Sequence, residues 1–182
     1  MRDEFTRIAP RVFRFLLKLS GNVDLAGDLA QETLTRAWLK RYQLRQPQAF
    51  NTWVFRIAIR IWNDHQNPGS EKRNPAGECD IASISLIDPN ADDPSENLQR
   101  NEMQHRLQTF TDQLPARQRQ VLLLRVLEEM SIREIAEAVG ITDQNARSNL
   151  AAARKKLRQR WEHDESTTSP SSSAAADAQQ NE

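Results

Sequence analysis

The fold is decided by residues 131–161, which read SIREIAEAVGITDQNARSNLAAARKKLRQRW. Ser131, with Glu134 three positions later, predicts a capping box at the start of a helix. Gly140 can take the left-handed conformation that ends this helix, and Thr142 can cap the next one. A short helix, a tight glycine turn and a longer helix predict a helix-turn-helix.

The second helix of this motif carries side chains suited to DNA. Between Asp143 and Glu162 there are six basic residues and no acidic one. Gln, Asn and Arg side chains pair with base edges, and Lys and Arg suit phosphates. The alternative interpretation is a solvated basic helix of an ordinary bundle. We predict DNA contacts from the outward face, which comprises Gln144, Asn145, Arg147, Ser148, Asn149, Arg154, Lys155 and Arg158.

The rest of the chain also predicts helices. Three sets of apolar residues recur at helical spacing within residues 1–66, and no stretch alternates apolar and polar residues as a strand would. We therefore predict an all-α protein with two small helical domains, residues 1–66 and 102–162. Residues 67–101 are rich in Pro and Asp and predict a flexible acidic linker, and residues 163–182 predict a disordered tail.

Charge follows the same division. The formal net charge is zero, yet residues 1–66 hold 11 Lys/Arg against 6 Asp/Glu, and residues 102–162 hold 11 against 8. Residues 67–101 hold 3 against 7, and residues 163–182 hold 0 against 4. Two basic modules separated and followed by acidic segments suit domains that bind a polyanion.

Several other classes of protein find no support in the sequence. No apolar run approaches a membrane span and the acidic start does not resemble a signal peptide, so we expect an intracellular protein without membrane insertion. Cys79 is the only cysteine, and the three histidines are scattered, so we expect no metal and no cofactor. There is no Gly-rich phosphate loop and no convincing nucleophile and base pair, so an enzyme is not expected.

Parts of both predicted domains resemble one family. Residues 114–119 (LPARQR), 131–136 (SIREIA) and 147–150 (RSNL) resemble region 4 of extracytoplasmic-function (ECF) sigma factors of bacterial RNA polymerase. Many DNA-binding response regulators share part of that pattern. Residues 24–38 (DLAGDLAQETLTRAW) resemble sigma region 2.2, and residues 50–58 (FNTWVFRIA) resemble the helix of regions 2.3 to 2.4. A helix-turn-helix repressor has no reason to carry these two segments.

The resemblance implies partners and roles for named residues. It implies that region 2.2 binds core RNA polymerase, and the polar face opposite the apolar stripe offers Asp28, Gln31, Glu32 and Arg36 for this. It implies that region 4 reads the upstream (−35) promoter element and that region 2 reads and opens the downstream (−10) element. An anti-sigma factor is a further partner that the family implies, although the sequence does not identify one.

Opening DNA without ATP requires a protein that binds unpaired bases better than paired ones, by stacking and by base pockets. The loop over residues 43–49 is expected to supply such a pocket. Side chains expected to lie off the core stripe beside this loop are Asn51, Phe55, Arg56, Arg60, Trp62 and Asn63. The remaining hypotheses are a stand-alone helix-turn-helix regulator, which would bind duplex DNA alone, and an enzyme. The segments that resemble region 2 favour the sigma factor.

Overall fold

The computed structural model describes residues 2–44, 46–67 and 108–168 of the 182-residue chain. Within these ranges all regular elements are helices, which confirms the all-α prediction. Almost all of the predicted linker and most of the predicted tail lie outside the described residues. The α-helices are α1 (Arg2–Ser20), α2 (Val23–Leu39), α3 (Phe50–Gln66), α4 (Ala116–Leu127), α5 (Ile132–Val139) and α6 (Asp143–Thr168).

Helices α1 to α3 form the first domain. Gly21, with a φ of +65°, makes the turn after α1, and the Asn22 side chain caps α2 by accepting a hydrogen bond of 3.0 Å from the Leu25 amide. Phe15 of α1 meets Phe55 of α3 edge to face, with ring centroids 5.3 Å apart. This buried aromatic contact helps to fix α3, which carries the predicted base-contacting residues, against α1.

A short helical segment over residues 108–112 and helices α4 to α6 form the second domain. The Ser131 hydroxyl accepts from the Glu134 amide at 3.3 Å, and the Glu134 carboxylate accepts from the Ser131 amide at 2.8 Å. Gly140 ends α5 with a φ of +73°, and the Thr142 hydroxyl accepts from the Asn145 amide at 3.2 Å. The predicted capping box, glycine turn and second cap of the helix-turn-helix are confirmed.

Helix α6 is longer than the sequence predicts. The expected end lies near Trp161, with a disordered segment after it, whereas the helix continues to Thr168. No glycine or proline interrupts residues 162–168, and the next helix breaker is Pro170. The serines and threonines that suggested a tail are tolerated in a helix that the preceding turns have already nucleated.

The two domains pack against each other. Most of their buried apolar residues belong to one continuous hydrophobic core, and α3 contacts α5 while α1 contacts α4. Two small domains joined by a linker are what the sequence predicts, but nothing in the sequence predicts this contact. It determines which of the candidate binding surfaces faces solvent.

Candidate nucleic-acid and polymerase interface

The outward face of α6 is open to solvent. Ala146, Leu150 and Ala153 turn inward and are buried, so the intervening positions point outward. Of the eight predicted DNA-contacting residues on α6, all are exposed except Asn149, which is half-buried and donates 2.8 Å to the Asn145 carbonyl. The structure thus brings the predicted polar and basic side chains together on one accessible surface, the α6 surface.

Arginines of α4 hold the turns on either side of α5. Arg117 donates to the Val139 carbonyl at 3.3 Å, at the start of the glycine turn. Arg125 donates to the Met130 carbonyl at 2.8 Å, beside Glu129, whose φ of +55° is unusual for a residue with a side chain. The first hydrogen bond satisfies a carbonyl that α5 leaves free at its C-terminal end, and the second ties the loop before α5 to α4.

The predicted base-contacting residues of α3 divide into three groups. Asn51, Arg56 and Arg60 are exposed, and of these three Arg56 is bound by the second domain. The Arg56 side chain donates to the Glu137 carbonyl at 3.2 Å and forms an ion pair with the Glu137 carboxylate. Asn63 is half-buried, and its Oδ1 accepts 2.7 Å from the Gln120 side chain. Two of the predicted polar contacts with DNA are therefore already occupied by the second domain.

Phe55 and Trp62 are not where the sequence predicts them. They are expected off the core stripe, yet Phe55 is fully buried and Trp62 is 6% exposed. Helix α3 packs on α1 and α2 on one side and on the second domain on another, so more than one stripe of its surface is buried. Neither ring is available to stack on an unpaired base in this arrangement.

An exposed aromatic residue stands next to the predicted loop instead. Tyr42 is 78% exposed in the short 3-10 helix Arg41–Gln43, and a second one, Pro47–Ala49, completes the loop before α3. Sequence reasoning missed Tyr42 because it begins no apolar periodicity. An exposed ring between polar neighbours is the signal that could have found it.

The predicted polymerase-docking residues share one face of α2. Asp28, Gln31 and Glu32 are exposed, and Arg36 is half-buried. Arg36 forms an ion pair of 2.5 Å with Glu32 one turn away, as expected for a favourable i, i+4 pair. Within the part of the chain that the structure describes, Asp28 forms no ion pair, whereas the charge of Glu32 is partly neutralised by Arg36.

The described residues offer no other obvious chemistry. Within residues 2–44, 46–67 and 108–168, no group of three or more His, Cys, Asp or Glu residues is placed to hold a metal ion. Among the helices described there, none is long and apolar enough to cross a membrane.

The fold and its surfaces define a two-domain helical protein with a DNA-binding helix-turn-helix. Comparison with known families makes this specific: residues 5–67 match the family model described as Sigma-70 region 2, and residues 104–157 match that of Sigma-70 region 4. Together the two matches cover well over half of the chain, in the order that the resemblance predicts. The chain belongs to the sigma-70 family of RNA polymerase sigma factors, in its ECF group.

Individual relatives agree with this assignment. The chain is 32% identical over 157 residues to the ECF RNA polymerase sigma factor SigE of Mycolicibacterium smegmatis, covering 86% of this chain and 60% of SigE. It is 26% identical over 156 residues to SigW of Bacillus subtilis, covering 81% of each. Its fold is similar to that of the sigma factor RpoE from Bartonella quintana, solved in complex with the anti-sigma factor NepR, with a TM-score of 0.61 and 22% identity over 87% of this chain and 94% of RpoE.

Proposed function

We propose that this protein is a promoter-specificity subunit, which binds core RNA polymerase and directs transcription initiation without catalysing a reaction itself. The observation that carries the proposal is that one chain holds an exposed helix of a helix-turn-helix and, ahead of it, a helical bundle that matches sigma region 2. A stand-alone regulator, which is the alternative hypothesis, needs only the helix-turn-helix. The site of action is the cytoplasm, where polymerase and chromosome meet.

Each surface has a distinct role in this proposal. The α6 surface reads the upstream (−35) element as duplex, with Gln144, Asn145 and Arg147 directed to base edges and the later basic residues directed to phosphates. Helix α3 and the loop before it bind the downstream (−10) element once its bases are unpaired. Tyr42 offers a ring on which one such base can stack, a contact that stabilises by roughly 1–3 kcal/mol in other single-strand binders.

The face of α2 is proposed to dock on polymerase. An exposed acid such as Asp28 attracts a basic partner surface during encounter and helps to fix its register. The Asp28→Ala variant is expected to bind core polymerase about tenfold more weakly by fluorescence anisotropy, which corresponds to about 1.4 kcal/mol. Asp3→Ala removes the same charge at an exposed position of α1 and serves as the control. Equal affinities of the two variants would remove the docking role from Asp28.

A gel shift with and without core polymerase separates the two hypotheses. The probes are labelled genomic fragments of promoter length, and the expected result is a sequence-specific complex only when protein and core are both present. A stand-alone regulator would shift specific fragments by itself, usually as a dimer on a palindrome. That result would overturn the proposed function. An anti-sigma factor is a further proposed partner, since the structurally similar RpoE was solved with one.

A further inference from the structure

Helix α2 carries a glycine in its interior. Apart from proline, glycine is the least favourable residue there, because it loses the most backbone freedom on folding. Gly27 lies one turn inside α2, which begins at Val23. Among the described glycines, only Gly21 and Gly140 have the positive φ that favours this residue. The backbone conformation of α2 therefore does not require a glycine at position 27.

Packing within the chain does not require this glycine either. A Cβ atom added to Gly27 would have no atom of another element and no side chain within 4 Å. The neighbouring Ala26 and Ala30 are fully buried, so Gly27 lies at the edge of the apolar stripe of α2, where the stripe meets solvent. The space beside Gly27 is thus open, and it exposes the backbone of α2. We name this open space the Gly27 notch.

The two neighbours of the notch along the helix differ in chemistry. Val23 and Gln31 lie one turn before and one turn after Gly27 on the same face, and both are exposed. Val23 is 62% exposed, which leaves most of an apolar side chain in water. Covering such a side chain with a partner is favourable. The Gly27 notch therefore has an apolar wall on one side and an amide that can form hydrogen bonds on the other.

The charge around the notch selects the kind of partner. Asp24 and Asp28 are exposed beside it, and the one basic residue of α2, Arg36, is already paired with Glu32. An acidic surface repels the phosphates of nucleic acid and attracts a basic protein surface. A protein with an apolar side chain flanked by basic residues is therefore the partner that fits this part of α2.

We propose that a bulky apolar side chain of core polymerase enters the Gly27 notch and packs on Val23, with basic groups beside it facing Asp24 and Asp28. This inference rests on the proposed docking of α2 on polymerase and adds the point of closest approach. Because Gly27 has no side chain, partner atoms can reach the α2 backbone and form a closely packed interface core. The glycine lowers the stability of the free helix, and the contact offsets this loss in the complex.

Substitutions at Gly27 test the inference because stability and binding should change in opposite directions. Gly27→Ala replaces the unfavourable residue and should raise the thermal unfolding midpoint of the free chain by about 2–4 °C, followed by circular dichroism. Its methyl group occupies part of the notch and should weaken binding to core polymerase about threefold, measured by fluorescence anisotropy. Gly27→Leu fills the notch and should weaken binding about tenfold or more, with an unfolding midpoint no lower than that of the unmodified chain.

Two sets of controls separate the notch from general effects. Thr6→Ala and Thr6→Leu make the same kinds of change at an exposed position of α1, where both new residues also favour the helix more. They should raise the unfolding midpoint and leave the affinity for core polymerase unchanged. Val23→Ala should weaken binding about threefold by removing the apolar wall. Val126→Ala removes a valine of almost equal exposure, 63%, from α4 and should have no effect on this affinity.

Each contrary result has a defined meaning. If Gly27→Leu bound core polymerase as tightly as the unmodified chain while Asp28→Ala bound it more weakly, α2 would dock on polymerase without using the notch, and the inference would be wrong. A lower unfolding midpoint for Gly27→Ala would assign the glycine a structural role and would also overturn it. Equal losses of affinity from Gly27→Leu and Thr6→Leu would have the same consequence. Failure of the unmodified chain to bind core polymerase would instead reject the proposed function, and this inference with it.

Discussion

The two surfaces that we propose to face DNA, on α6 and on α3, differ in how their side chains are engaged within the chain. The predicted contacts on α6 lie in solvent, apart from the half-buried Asn149. Those on α3 are partly engaged, because the exposed Arg56 and the half-buried Asn63 are bound to Glu137 and Gln120 of the other domain. Both surfaces belong to short helical domains, and the difference comes from how the domains pack against each other.

This difference matches the physical state of each proposed DNA target. Duplex DNA exists before polymerase acts, so a helix that reads it can be exposed from the start. Unpaired bases exist only after opening, so a surface that binds them is needed later. A chain that kept the polar and basic side chains of α3 free would offer them to any single-stranded nucleic acid, which binds basic surfaces with little sequence preference.

Arg147→Ala, which tests the α6 surface, has the largest expected effect of the substitutions considered. Arg147 is exposed in the first half of α6, where recognition helices contact base edges. Losing one bidentate contact costs about 1–3 kcal/mol, or roughly 5- to 150-fold in use of the upstream element. Transcription from promoters with and without that element measures the effect.

Arg133→Ala removes the same charge from the exposed side of α5 and serves as the control. Binding of core polymerase should be unchanged in both variants. If Arg147→Ala weakened core binding instead, α6 would be part of the polymerase interface, and its assignment as the duplex reader would be wrong.

Ser131→Ala is expected to destabilise the domain that carries the exposed surface by about 1 kcal/mol, the usual value of a helix N-cap. Hydrogen bonds from the Ser131 hydroxyl and amide lower the pKa of Glu134 below its ordinary value. The stabilisation that these hydrogen bonds give through the charged Glu134 carboxylate is complete at pH values above the ordinary pKa of a glutamate. It is lost as the pH falls through the lowered pKa. The difference in free energy of unfolding between Ser131→Ala and the unmodified protein, measured with urea, should therefore shrink on acidification. Ser148→Ala, at an exposed position inside α6, should show no such pH dependence.

Glu137→Ala tests the covered surface and has the smallest expected effect. Arg56 and Glu137 are each about half exposed, and ion pairs of this kind contribute about 0.2–1 kcal/mol. Removing Glu137 should free the Arg56 side chain for DNA and tighten single-strand binding by the free chain roughly 1.5- to 5-fold, measured by anisotropy.

Arg56→Ala breaks the same ion pair and is the matched comparison. It also removes a predicted base contact, so single-strand binding should not tighten. If both substitutions tightened binding equally, Arg56 would act only in the interface and would have no role in contacting DNA.

Local features of the fold were predictable from the sequence because their causes are local. The cap at Ser131, the turn at Gly140 and the cap at Thr142 each involve residues a few positions apart, and each is confirmed. The inward and outward positions of α6 follow from a single buried side. The order of the two sigma regions was equally readable, because each carries its own residue pattern.

The interdomain contact was not predictable, since its partners are 57 to 117 positions apart in the chain. The same contact explains the error at Trp62, because a helix buried on several sides does not show one apolar stripe. The position of Glu128 in the sequence weakly indicated part of this contact. A glutamate that follows an apolar run at a helix end is unfavourable to the dipole, and it indicates a cationic partner elsewhere.

The most direct test is transcription in vitro from genomic fragments, with start sites mapped for core polymerase alone and for core polymerase with this protein. A promoter-specificity subunit should create a reproducible set of new start sites, each preceded by a shared upstream and a shared downstream element. Arg147→Ala should weaken the upstream element's use at these sites. Start sites identical to those of core polymerase alone would contradict the central claim.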